Sequence, residues 1–208
     1  MYFDPLQIDA QSCYHLLVGA VVPRPIAWIS TIGADGVANL APYSFFTVAS
    51  CAPPVLCVTE VKPRHRPAKD TLSNLRSGSD CVVNIVSAAL AETMNATCAD
   101  YAPQVSEFAA LGVAAAASLH VRAAGVAAAL VRFECTLRDI VTISPLPTGG
   151  TLMLLDVVAI YVNEHVMVDG KISPARLDAI GKLGGDWYSN TRERFALPRP
   201  TLASESLK

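Results

Sequence analysis

A proline inside an alternating, turn-punctuated run sets the strongest limit on how this chain can fold. Between Pro23 and Glu60 the sequence reads PRPIAWISTIGADGVANLAPYSFFTVASCAPPVLCVTE. Ile26 to Ile32 carries small, apolar and hydroxyl side chains without helical spacing, which reads as a strand. Gly33-Ala34-Asp35-Gly36 supplies a hairpin turn, because Asp-Gly accepts the positive φ that such turns demand. Val37 to Ala41 then returns antiparallel, and Pro42, which has no N–H, is expected to stop the ladder. Phe45 to Ala49 and Val55 to Glu60 form a second hairpin around Ala52-Pro53-Pro54. Where Pro42 frees the backbone, Asn39-Leu40-Ala41-Pro42-Tyr43-Ser44 presents an amide and two hydroxyls. Freed backbone groups must find other partners. A bound ligand is one; a kinked edge strand with internally satisfied polar groups is the other. These residues alone leave both open.

Upstream, Asp9 or Ser12 is placed to cap a helix over 11–17 that ends at Gly19. Downstream, Lys62, Arg64, Arg66 and Lys69 put four positive charges into eight residues of a chain whose net charge is −2. They lead into DTLSNLRSG, where Leu72 and Leu75 have helical spacing. Asp70 or Thr71 is expected to be the N-cap there, with Gly78 as the stop. A helix start flanked by Arg64, Arg66, Lys69 and Thr71 suits a phosphate; a solvated basic loop before an ordinary helix is the alternative. Asp70 reads as a cap or an ion-pair partner, since a carboxylate repels phosphate.

Cys81 to Val86 is β-branched and apolar, a buried strand. Ser87 is expected to cap a helix to about Cys98, and 106–111 makes a further helical turn. From Gly112 to Ala129 alanine dominates and propensity favours helix. Gly112, Gly125 and the alternation of His120-Val121-Arg122 argue instead for extended chain. Leu130 to Ile143 alternates as a half-buried strand. Thr151 to Val162 is almost continuously apolar, which predicts burial on both faces. His165 to Ile172 is a small hairpin around Asp169-Gly170, and Pro174 to Ile180 a turn of helix. Gly184-Gly185 permits close backbone approach, and Trp187 and Tyr188 after it suit the cover of an apolar ligand. Trp28 is assigned to core packing. The tail from Leu197 onwards is expected to be poorly ordered.

With 208 residues the chain fits one domain that needs no metal or disulfide support. Hydrophobic residues at 52% against charged ones at 16% are high for a monomer and suggest a homodimer interface. No apolar run approaches the ~20 residues of a membrane span, and MYFDPLQID lacks a signal-peptide layout. The net charge gives no footing for nucleic acid. G-x-G-x-x-G, G-x-x-x-x-G-K-[ST] and H-E-x-x-H are all absent. The four histidines, His15, His65, His120 and His165, are scattered, so no metal site is expected. The six cysteines form no C-x-x-C pair, which fits reduced thiols in a cytoplasmic protein.

RPIAWIST, the Asp-Gly turn, NLAPYSFF and the Pro53-Pro54 pair are followed by Lys69-Asp70-Thr71 and, at 183–188, LGGDWY. In this order, across roughly Gly19 to Tyr188, they resemble the flavin reductase-like, FMN-binding split-barrel family. The resemblance implies a mainly β, Greek-key split β-barrel with a few short helices, homodimeric, with FMN at the dimer interface. It implies that Ser30, Thr31, Asn39, Ala41, Pro42 and Ser44 line the flavin ring and ribityl chain. Arg64, Lys69 and Thr71 would hold the phosphate, and Tyr43, Phe46 and Trp187 would pack on or near the ring. No side chain is required as acid or base when a nicotinamide reduces a flavin, so no catalytic residue is assigned. The leading activity is an NADH- or NADPH-dependent flavin reductase that supplies reduced flavin, for instance to a separate monooxygenase. An FMN electron carrier served by a protein donor, and a flavoenzyme with its own small substrate, would use the same site. Two departures from the family pattern stand out. Leu155-Asp156 replaces Gly-Glu, and Lys182 replaces an arginine, which loses two-pronged geometry.

Overall fold

A computed structural model describes residues 1–63, 68–78 and 80–200. The expectations for Arg64 and Arg66, and for the tail beyond residue 200, lie outside the described residues. The helix α1 (Ala10–Ala20) precedes β1 (Arg24–Pro25), β2 (Ala27–Ile32), β3 (Ala38–Tyr43), β4 (Phe46–Cys51) and β5 (Pro54–Val61). Next come α2 (Asp70–Arg76), β6 (Asp80–Ile85), α3 (Ala91–Ala96) and α4 (Glu107–Ala110). A two-residue pair, β7 (Ala115–Ala116) with β8 (Gly125–Val126), leads to the long hairpin β9 (Val131–Thr142) and β10 (Gly150–Val162). The chain closes with β11 (Met167–Val168), β12 (Lys171–Ile172), α5 (Pro174–Leu177), β13 (Ile180–Lys182) and β14 (Tyr188–Asn190). The protein is thus mainly β with a few short helices, as expected.

Seven strands form one antiparallel sheet in the order β3-β2-β6-β9-β10-β5-β4. Its two edges, β3 and β4, are consecutive in the chain and separated only by Ser44 and Phe45. The sheet must therefore curl until its edges meet at that link. Its inner face encloses one apolar core, in which Ile29, Tyr43, Val58, Val83, Cys135 and Met153 pack with Leu72 and Leu75 of α2. A second core lies outside β2, β3 and β6, where Trp28, Leu40 and Val86 pack against Met94 and Phe108 from α3 and α4. Trp28 is fully buried there, and its Nε1 donates to Thr97 Oγ1 at 3.0 Å.

Pro42 does not end the ladder as expected. β3 continues through it, with Pro42 opposite Trp28 and Tyr43 opposite Ala27. The reason is position: β3 is an edge strand, where an absent N–H costs no inter-strand bond. Further back on the same edge, the Leu40 N–H donates to Glu107 Oε2 at 2.9 Å, so a buried carboxylate stands in for the missing neighbour.

Asp9 caps α1, accepting from the N–H groups of Gln11 and Ser12. The cap of α2 is Lys69, not Asp70 or Thr71. Thr71 is fully buried and its hydroxyl accepts from Asn39 in the sheet, so tertiary contact takes the group that local chemistry offered to the helix end. The helix expected from Ser87 to Cys98 is shorter, a 3-10 turn over Ala88–Leu90 followed by α3. The alanine-rich segment is extended, as the glycines suggested. Glu134 accepts the N–H groups of Leu119 and His120 at 2.9 and 2.7 Å, and Asp80 those of Arg122 and Ala123 at 2.9 and 3.0 Å. Two carboxylates thus satisfy backbone that helix would have satisfied internally.

β10 departs from expectation. It alternates instead of being buried on both faces, and leaves Val158 and Ile160 45% and 58% exposed. The cause is that an antiparallel sheet needs only one covered face. Among the described residues, nothing covers the other face at Val158 and Ile160.

Candidate functional site

The link between the sheet edges is also where polar side chains gather. Pro42, Tyr43 and Ser44 form one wall of a cavity of about 140 Å³, faced by Ile26, Met94, Cys98, Lys182 and Tyr188. Over Pro42 and Cys98 it adjoins a second cavity of about 70 Å³ that reaches Asn39, Ala41, Lys69, Asp70 and Glu107. The two share residues and form one groove with unlike ends. The first is aromatic and apolar with a single ammonium. The second is polar and carries Lys69 at the start of α2.

Each end is braced from behind. Asn39 Nδ2 donates to Thr71 Oγ1 at 2.9 Å, and Asn74 Nδ2 donates to Thr31 Oγ1 at 2.9 Å. This buried network fastens α2, and with it Lys69, to β2 and β3. The Lys69 N–H donates to the buried Glu60 at 3.2 Å, and its ammonium lies 5.1 Å from the centre of the Tyr43 ring. At the other end Arg24, 6% exposed, holds three segments together. It donates to the Val18 and Val21 carbonyls of α1, to the Leu183 carbonyl at 2.9 Å, and to Ser44 Oγ at 3.4 Å. Because the Thr71 hydroxyl satisfies a buried amide, Thr71→Val is expected to cost about 1–3 kcal/mol in urea unfolding. Thr71→Ser should keep most of that stability; a Val variant as stable as wild type would remove the network's bracing role.

Lys182 donates to the carbonyls of Gly185 and Trp187 and lies 4.1 Å from the centre of the Tyr188 ring. Burial lowers its pKa, against the opposing effect of Asp186. Tyr188 shares a hydrogen bond of 3.0 Å with Asn95 Oδ1, and burial raises its pKa. The Cys98 thiol between the two ends is pushed up by burial, with Lys69 and Lys182 both pulling it down. The two ammoniums therefore act on the same stretch of groove from opposite sides.

Of the residues expected to form a site, Asn39, Ala41, Pro42, Tyr43, Ser44 and Lys69 line this groove. Thr31 and Thr71 stand behind it, almost fully buried, and act through Asn39 and Asn74. Ser30 lies on the opposite face of β2, where its Oγ donates to the Ala124 carbonyl at 2.5 Å. Phe46 packs against the barrel core. Trp187 is 76% exposed and meets Lys182 only through its carbonyl. Cys98 was missed, and of the two aromatics expected to cover an apolar ligand it is Tyr188 that lines the groove. Trp187 lies in the turn before β14, where its carbonyl accepts from the Leu183 N–H, and its ring is exposed, whereas Tyr188 opens the strand and faces the groove. Cys98 lies two residues beyond the end of α3 and faces the groove beside Met94, so no helical pattern marked it in the sequence.

The chemistry of the groove suits a flat, largely apolar ring system joined to an anion. An aromatic recess at one end would suit the ring, and Lys69, on a braced helix start, would suit the anion. FMN has this layout, so the residues present fit it.

Comparison with known proteins gives the same direction. The family model described as flavin reductase like domain matches residues 18–174. Nitrilotriacetate monooxygenase component B from Bacillus cereus is 29% identical, with a TM-score of 0.89 over 95% of this chain and 98% of that one. Pseudomonas fluorescens 2-nitrobenzoate 2-nitroreductase NbaA is 27% identical, with a TM-score of 0.87 over 99% and 100%. A Shewanella frigidimarina NCIMB 400 protein with a split barrel domain is 22% identical, with a TM-score of 0.81 over 96% and 100%, a likeness of fold.

Proposed function

The chain belongs to the flavin reductase-like domain family, and from that premise we propose that it binds FMN along this groove and reduces it with NADH or NADPH. The carrying observation is the groove's polarity, with Lys69 at one end and an aromatic recess around Pro42, Tyr43, Ser44 and Tyr188 at the other. Bound FMN would supply the redox chemistry; the protein supplies binding, orientation and electrostatics. Lys69, together with Arg64 from the basic segment, holds the phosphate. Asn39, Ala41, Pro42 and Ser44 flank the ring and ribityl chain, with Thr31 and Thr71 setting the position of Asn39. Tyr43 and Tyr188 exclude water. No acid or base is needed from the protein.

The same reading makes the protein a homodimer in which a second copy completes the site. The two cavities are smaller than the ~300–1,000 Å³ of usual ligand pockets. Beside them, Leu17, Val21, Phe45 and Phe46 line an apolar recess of about 480 Å³ that shares Ser44 with the groove. A second copy laid there would deepen the groove and cover surface that the chain leaves bare. Use of reduced flavin by a separate monooxygenase is supported by the Bacillus cereus likeness. The Pseudomonas fluorescens likeness supports a second reading, direct reduction of a small substrate. The six free thiols suit a cytoplasmic setting. No helix among the described residues is long and apolar enough to cross a membrane.

The test is anaerobic. Protein reconstituted with FMN is expected to bleach at its flavin band within seconds of adding NADH or NADPH, and the faster nucleotide is the donor. Bleaching only with dithionite would discard the nicotinamide step. Failure to bind FMN would discard the site.

A further inference from the structure

Lys182 carries a charge that no carboxylate among the described residues pairs with directly. It faces the aromatic end of the groove with Ile26, Pro42, Tyr43, Ser44, Met94 and Tyr188. Its hydrogen bonds go to two neutral carbonyls, of Gly185 and Trp187. Among the described residues no carboxylate lies within ion-pair distance of it. Asp186 acts on it only from further away. The cost is visible, because burial lowers the Lys182 pKa despite that acid. A partly desolvated ammonium without a counter-ion is an unfavourable arrangement for a fold alone. It becomes favourable when the ligand brings negative charge.

The anion of oxidised FMN is its phosphate, which Lys69 accounts for at the opposite end. Lys182 stands at the aromatic end instead, beside the place of the ring, where the charge that arises is the one the ring gains on reduction. We propose that Lys182 selects the reduced over the oxidised flavin, acting as an electrostatic tuner of the reduction step. The nicotinamide donor gives up two electrons and one proton and leaves as its oxidised cation. The ring that accepts them gains one net negative charge. Lys182, fixed by its two carbonyls and by the Tyr188 face, stabilises that charge without moving. A positive group beside the ring is among the ways a protein sets flavin electronics, and the effect is large where water is partly excluded. The aromatic end of the groove thereby gains a role distinct from packing. This inference rests on the FMN reading above.

The experiment compares affinities for oxidised and reduced FMN, measured under nitrogen, in wild type, Lys182→Gln and Lys182→Arg. Glutamine keeps N–H groups for the Gly185 and Trp187 carbonyls but removes the charge; arginine keeps the charge. Lys182→Gln is expected to weaken reduced FMN about tenfold more than oxidised FMN, which is about 30 mV on a two-electron couple. Lys182→Arg should retain most of the wild-type preference. Equal loss for both oxidation states would mean that Lys182 only closes the 183–188 loop, and would overturn the proposal. So would an unchanged ratio. Wild-type protein that binds neither form would remove the FMN reading itself, and this inference with it.

Discussion

Replacing Lys69 and Arg64 together by alanine is expected to weaken FMN about 100-fold and riboflavin by less than about threefold. The two ligands share ring and ribityl chain and differ only in the phosphate. Hydrogen bonds to charged groups contribute about 1.5–3 kcal/mol each, so losing two such contacts removes at least about 3 kcal/mol, or two decades of affinity. Lys69 is the better defined of the pair. It caps α2, its N–H is held by Glu60, and its side chain stands over Tyr43 at the polar end of the groove. Arg64 lies outside the described residues and enters from its place in the basic segment. The measurement is a pair of fluorescence titrations, FMN and riboflavin, on each protein. Equal losses for both ligands would remove the phosphate from this end. A Lys69→Ala single variant should lie between, since the contributions come from separate groups. Salt should narrow the difference between the ligands, because the interaction is between charges.

Arg24→Ala is expected to give the largest loss of stability, about 2–4 kcal/mol, together with weak binding of both flavins. The guanidinium is buried and fans out to carbonyls of Val18, Val21 and Leu183. Removing it leaves acceptors at the end of α1 and at the start of the glycine loop without donors, and each buried loss costs about 1–3 kcal/mol. For a chain of this size that lowers the melting temperature by about 5–15 °C. The functional part follows from Ser44, which Arg24 also contacts. With the clamp gone, the Ser44 link, α1 and the 183–188 loop are no longer held in register. Arg24→Lys should recover only part of the loss, since one ammonium cannot span carbonyls set in three directions. Circular dichroism melts and the same titrations test both halves. An Arg24→Ala protein with wild-type melting temperature would show that the clamp is not a structural necessity.

Much of the fold was legible because its signals are local. The hairpin around Asp35-Gly36, the strand at Cys81 and the cap at Asp9 depend on a few neighbouring residues, and these elements formed where expected. The alanine-rich segment was legible for a different reason. Gly112 and Gly125 argued against helix, while the carboxylates that hold it extended, Asp80 and Glu134, lie far away in sequence. Pro42 was misjudged because its consequence depends on strand order. The same residue would stop a central strand and is harmless on an edge. β10 was misjudged likewise, since apolar character does not say whether a second face is covered by the same chain. Within the site, the motif at Asn39 to Ser44 marked the groove, but it could not tell that Ser30 lies on the far face of β2. Tyr188 rather than Trp187 enters the groove because Trp187 sits in the turn before β14, closed by the bond from the Leu183 N–H to its carbonyl, and its ring is exposed.

By itself, the sequence determined the element types, the antiparallel hairpins, the family pattern and the concentration of positive charge before α2. These follow from propensity, turn chemistry and the alternation of apolar residues, which act over a few positions. Only the tertiary structure decided that the edges of the sheet meet at Ser44 and Phe45, so that residues from Asn39 to Tyr188 share one groove. It alone separated Thr31 and Thr71, which brace from behind, from Lys69 and Lys182, which line the groove. The physical reason is that hydroxyls and ammoniums are interchangeable in local pattern. Their roles are set by burial and by partners that lie many residues away, as in the bond from Asn39 to Thr71 and the contact of Arg24 with Leu183.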